Sequence, residues 1–265
     1  MVRAAAGSES MSRKLCVFVA GLALVGAVQA QDEEEKKPLP VEAETGYFTA
    51  WSGNVAFGLY GSSGNTERVN LRGEVDGTRE TDKNLSRFLG TYSYAKDDGD
   101  ESENKGQFLV ENDFKLEDSK WFLFGRAQIE SDNFQDWDQR FSVFAGPGRV
   151  FIDNEKTKLT GKVGVGAVRE FGGSDDAWRA EAIISAYGTH QLTERQKLIG
   201  EVDIYPNLNY GGEARTRERL VWEIMVDPEV NMSLRAGVEH RYDTTSEAPT
   251  KKSDVDYFIM LSWAY

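Results

Sequence analysis

The chain has 265 residues, 40% of them hydrophobic and 28% charged, with a formal net charge of −13. That balance excludes a nucleic-acid partner, which needs a basic footprint, and the sequence holds no zinc-finger spacing and no glycine-rich phosphate loop. The composition fits a soluble protein and fits equally a transmembrane barrel, where only alternate residues face lipid, so periodicity has to decide between them.

At the amino terminus, Met11-Ser12-Arg13-Lys14 precedes an apolar run over 15–28, and Val28-Gln29-Ala30 ends it before acidic Asp32 to Glu35. A basic start, a short apolar core and a small-residue site predict a signal peptide over 1–30, with the true start at Met11 and cleavage after Ala30. The run is too short to span a membrane easily. Cys16, the single cysteine, leaves with it, so the mature chain has no thiol chemistry. Residues 31–50 are acidic, contain Pro38 and Pro40 and show no period, which predicts a disordered periplasmic tail.

From Trp51 onward the pattern is period two. Val55, Phe57 and Leu59 oppose Ser52, Asn54 and Gly58; Val69, Leu71 and Val75 oppose Asn70, Arg72, Glu74 and Asp76. Phe108 and Val110 oppose Gln107 and Glu111, and later segments repeat the contrast. The expected strands fall near 51–61, 69–79, 86–95, 105–116, 121–130, 140–151, 157–169, 179–189, 197–206, 216–226, 232–242 and 254–265. Most are the length that a tilted strand needs to cross a bilayer, longer than the roughly 5–6 residues common in soluble sheets. The connections alternate between long (61–66, 96–104, 131–139, 170–178, 207–214, 243–253) and tight (80–84, 117–120, 152–156, 190–196, 227–231). The fold class expected is all-β: an antiparallel transmembrane β-barrel of about 12 strands over 51–265, with short turns in the periplasm and long loops outside.

In the last strand Tyr257, Ile259, Leu261, Trp263 and Tyr265 share one face and end on an aromatic residue, the pattern of an outer-membrane assembly signal. Trp51, Trp121, Trp263 and Tyr265 fall together at the periplasmic ends, where an aromatic girdle belongs. The Trp51-Ser-Gly-Asn opening with Gly58, Ser63-Gly64-Asn65-Thr66, Asp138-Gln-Arg140, Gly146-Pro147-Gly148 and the aromatic end resemble a known outer-membrane β-barrel family, the salt-induced outer membrane proteins, a domain of unknown function. The resemblance covers 51–265. It implies an outer-membrane barrel in a Gram-negative envelope, with a link to salt or osmotic conditions, and it implies no catalytic residue.

Few constellations suggest chemistry. His190 sits at a predicted periplasmic turn. His240 lies near an outer strand end, facing lipid beside Tyr242, and no serine follows it within reach. A base without a positioned nucleophile is inert, so the expectation is no enzyme and no catalytic residue. Asp97, Asp98, Asp100, Glu101 and Glu103 crowd one outer loop, a place for a divalent cation in principle, although a hydrated acidic loop is the simpler reading. The face opposite the lipid carries charges of both signs, with Arg72, Glu74, Asp76, Arg126, Glu201, Asp203, Arg217, Arg219 and Arg235 the chief candidates for pairing across a narrow lumen. Gly146-Pro147-Gly148 within a strand suggests a bulge or a close lumen contact. The reading is therefore a non-enzymatic barrel without cofactor or metal, a narrow pore or an envelope-integrity protein linked to osmotic response. Its expected partners are outer-membrane lipid and lipopolysaccharide, the assembly machinery and periplasmic chaperones. The alternatives are a lipid-acting barrel enzyme and a soluble periplasmic β-barrel binding an apolar ligand.

Overall fold

The structure, a computed structural model, describes residues 51–62, 68–173, 176–246 and 251–265. The expected signal peptide and tail lie outside the described residues. Among these, period-two alternation resolves into twelve strands: β1 (Ser52–Ser62), β2 (Arg68–Glu80), β3 (Asn84–Asp97), β4 (Asp100–Lys115), β5 (Trp121–Asp132), β6 (Gln139–Asp153), β7 (Thr157–Phe171), β8 (Arg179–Thr193), β9 (Gln196–Pro206), β10 (Ala214–Asp227), β11 (Met232–Asp243) and β12 (Ser253–Ala264). Each strand pairs antiparallel with its sequence neighbour, and β12 closes on β1 through Asn54↔Ala264 to Phe57↔Leu261. One end of the barrel carries the start of β1 and the end of β12; it is called the near end below, and the opposite one the far end. Over those four pairs the two terminal strands join at the near end, so no strand is an edge along its whole length.

The strands run within a few residues of their expected bounds, with one clear correction. Residues 96–104 are not a long loop. They continue β3 and β4 into a hairpin closed by Asp98 and Gly99, at φ of 51° and 92°. Two left-handed residues make the turn type that matches strand twist, and Asp-Gly is a favoured pair for it. Asp118 and Asn231, at φ of 51° and 52°, serve near-end turns.

Alternation separates two surfaces. Outward, Val55, Phe57, Val110, Leu123, Val163, Val165, Ile184, Leu220 and Ile259 form an exposed apolar belt. Trp121, Trp263 and Tyr265 rim it at the near end, and Phe171, Trp178 and Tyr242 at the far end. Inward, the charged residues are buried, and so are two apolar clusters that the alternation does not announce. Phe122, Phe124, Phe144, Ile183 and Tyr205 form one, and Ala56, Val221, Phe258 and Met260 the other.

Gly146-Pro147-Gly148 introduces no register shift: Ala145↔Val165 and Gly148↔Lys162 belong to one ladder, and the bulge of β6 against β7 lies between Val150 and Ile152. The close contact is real. A Cβ on Gly148 would come within 2.2 Å of the Phe122 ring, so glycine makes room for a side chain that fills the interior.

Candidate functional site: a lumen spanned by ion pairs

The interior holds a charge network whose members come from strands far apart around the wall. Its hub is Arg126 of β5, which donates to Glu111 of β4 (2.7 Å) and to Asp203 of β9 (3.0 Å), with Tyr205 Oη and Ser185 Oγ each at 3.4 Å. Arg126 and Asp203 are 3% and 0% exposed, so water screens this pair very little. Lys162 of β7 donates to both Glu111 and Asp113. Arg87 of β3 reaches Glu201 of β9 on the opposite wall at 2.8 Å.

Toward the near end, Arg235 of β11 gathers Glu74 (3.0 Å), Asp76 (2.8 Å) and Glu223 (2.8 Å). Arg219 of β10 also holds Glu74. Between the two groups, Glu239 of β11 accepts from Arg72 and from Arg217, each at 3.2 Å. Toward the far end, Arg215 of β10 lies 4.0 Å above the Tyr205 ring, bonds Glu181 at 2.9 Å and faces Glu130 across the lumen at 3.5 Å. Arg140 of β6 sits 4.4 Å over Trp137, donates to Glu170 and reaches Asp243 of β11 at 3.1 Å. Two cavities lie at this mouth, of about 60 and about 100 Å³, each with room for a few waters.

Each lumen residue singled out in the sequence points inward beside an opposite charge: Arg72, Glu74, Asp76, Arg126, Glu201, Asp203, Arg217, Arg219 and Arg235. The pairing differs in part from a simple match among them, because Glu201 goes to Arg87 and Arg217 to Glu239. Sequence reading missed Arg87, Arg140, Lys162 and Arg215 as lumen residues. The parity of Lys162 with Thr160 was a usable signal. Arg215 precedes the expected strand start, and β3 mixes polar and apolar residues on both faces, so parity did not reach Arg215 or Arg87.

The crowded acidic loop is corrected. Asp97 and Asp100 are partners across the hairpin, Arg68 holds Asp97 at 3.0 Å, Lys105 holds Glu103 at 2.9 Å, and Asn104 and Asn133 donate to Glu101. Strand alternation turns these carboxylates to different sides, and among the described residues no group of three acidic, His or Cys side chains converges as a metal site. His190 lies within β8, bonded to Thr157 Oγ1 at 2.8 Å.

The reading that His240 lacks a serine is also corrected. On the outward face near the far end, His240 Nε2 lies 3.0 Å from Ser253 Oγ, and Nδ1 lies 2.7 Å from Glu218 Oε2. The serine is 13 residues on in the chain and reaches the ring across the β11–β12 pairing, a neighbour that local spacing cannot reveal.

Among solved structures similar to the chain at low identity are two of bacterial proteins. The translocator domain of the autotransporter NalP of Neisseria meningitidis is 10% identical, covering 81% of this chain and 87% of that one with a TM-score of 0.44. An outer membrane channel of Pseudomonas putida F1 is 14% identical, covering 89% and 99% with a TM-score of 0.43. No curated protein matches the sequence. The family described as protein of unknown function, DUF481, matches residues 55–265, from early β1 to the last residue, and the chain belongs to that family.

Proposed function

We propose that the protein spans the outer membrane of a Gram-negative bacterium, near end in the periplasm, and that its lumen is sealed to bulk flow by its own side chains. The outward belt supports the membrane part. Exposed Val, Leu, Ile and Phe wrap a closed wall between two aromatic rims, an apolar area no water-soluble surface sustains. The observation that carries the sealed lumen is the set of bridges between distant strands, Arg87–Glu201, Arg126–Asp203 and Arg215–Glu130, laid among buried aromatic rings. An open porin keeps such charges on its wall in water; here they meet in the middle.

In this reading the barrel is a narrow path for water or small ions, or a wall component that supports the envelope under osmotic load; the osmotic part follows from the family resemblance alone. Lipid and lipopolysaccharide are the partners of the belt. The outward stripe Tyr257, Ile259, Leu261, Trp263 and Tyr265 is the surface proposed for the assembly machinery, with periplasmic chaperones holding the chain before insertion. Single-channel recording of the refolded protein in planar bilayers tests the lumen. We expect a conductance far below that of a general porin and weak ion selectivity, and a porin-sized open state would overturn the sealed-lumen reading.

A further inference from the structure

The geometry points to a second activity on the outside of the wall: we infer that Ser253, His240 and Glu218 form a nucleophile–base–carboxylate set that cleaves acyl esters of membrane phospholipids. It rests on the membrane reading above, because only a bilayer brings lipid esters to that height on the barrel.

Three strands place the set. Glu218 of β10 and His240 of β11 are direct cross-strand partners, and Ser253 opens β12 opposite Tyr242, diagonal to His240. All three share outward parity with Leu220, Val238 and Val255, so they stand on one patch of the outer face. A carboxylate only accepts, so the ring proton of the neutral imidazole sits on Nδ1, directed at Glu218 Oε2. Nε2 is then the acceptor for the Ser253 hydroxyl. That is the division of labour of a serine hydrolase: Ser253 the nucleophile, His240 the base, and Glu218 a positioning residue that fixes the tautomer.

The surroundings define the substrate class. Along β12 and β10, toward the barrel middle, lie Val255, Tyr257 and Leu220, all exposed, with Tyr257 82% exposed, a bed for an acyl chain. The backbone also offers a donor. Asp243 N–H bonds the Lys252 carbonyl (2.8 Å), so the 242–253 pair is a non-hydrogen-bonded one and the Ser253 N–H is directed away from β11. It is the candidate donor for the oxygen that becomes anionic.

In the reaction Ser253 Oγ bonds the ester carbonyl carbon as its proton passes to His240 Nε2. Collapse of the tetrahedral intermediate breaks the ester C–O bond, and the leaving alcohol, a lysophospholipid, takes that proton. Water, deprotonated by the same nitrogen, then attacks the acyl-serine, giving a fatty acid and the free hydroxyl. Nothing beyond ester and water is consumed.

The test uses the full mature chain refolded in detergent, with phosphatidylethanolamine in mixed micelles and a fluorophosphonate probe. Wild type should release fatty acid and carry the probe on Ser253, located by mass spectrometry. Ser253→Ala and His240→Ala should lower release by about 100-fold or more, and Ser253→Ala should abolish labelling. Glu218→Gln should slow labelling and move its pH profile, which a purely structural change would not do. His190→Ala, at the opposite end, should match wild type. Wild type that shows the heat-dependent mobility of a folded barrel yet neither hydrolyses lipid nor takes the probe would overturn the inference, as would labelling that survives Ser253→Ala. Failure of the membrane reading shows separately, as protein that stays soluble without detergent.

Discussion

At the scale of residues, the interior charges differ in how replaceable they are. Among the described residues Arg126 makes the one direct salt bridge to the fully buried Asp203, whose cross-strand neighbour Arg217 adds a weaker attraction without such a contact. Arg219 shares Glu74 with Arg235, so its loss leaves that carboxylate one partner. One-sided removal from a buried pair is costly because the orphaned charge stays in low dielectric. Arg126→Ala should therefore destabilise the barrel by about 3–5 kcal/mol, and Arg219→Ala by about 1–3 kcal/mol. Thermal unfolding in detergent, followed by circular dichroism, should rank the two in that order; equal and negligible effects would mean that water fills the lumen around both. Arg219→Ala should also raise any residual cation current by removing a positive obstacle.

What the sequence disclosed at this scale was the facing of side chains. Parity placed Arg126 and Asp203 inward and His240 outward, since a strand alternates strictly. It did not disclose which residues meet. Glu201 pairs with Arg87 on the far wall and His240 meets Ser253 across a ladder, and both depend on register and curvature that no local pattern encodes. Phe122, Phe144 and Phe258 stayed hidden for another reason: when both faces are apolar, alternation carries no contrast.

At the scale of elements, the tight turns and long strands were legible, while one loop length was not. Residues 96–104 are rich in acidic residues around Gly99, which reads as a loop, yet Asp98-Gly99 suffices to turn the chain and its flanks pair as strand. The hairpin tip still lies at the far end, and Asp118 lies at the near end. An epitope inserted at Gly99 should thus be stained on intact cells, and one at Asp118 only after the outer membrane is opened. The reverse pattern would place the near end outside the cell. It would also move the serine set to the inner leaflet, changing which lipids it meets.

At the scale of the whole molecule, the outer belt and the ladder closure make one joint prediction. The wall closes with β1 on β12 at the near end, so no strand is an open edge along its whole length, and the interior is tied across by ion pairs that bulk solvent does not reach. The exterior apolar surface meanwhile demands a lipid or detergent coat. The mature protein should therefore stay with the membrane fraction until detergent is added. On SDS gels it should migrate as a compact folded species when unheated and shift only on boiling. Arg126→Ala should lower the temperature of that shift, because it weakens the interior and leaves the coat unchanged, whereas Ser253→Ala, on the outer face, should leave it in place. Recovery of the protein in an osmotic-shock supernatant would sink the membrane reading, and a boiling shift unaltered by Arg126→Ala would show that the wall ladders alone, without the lumen network, hold the barrel closed.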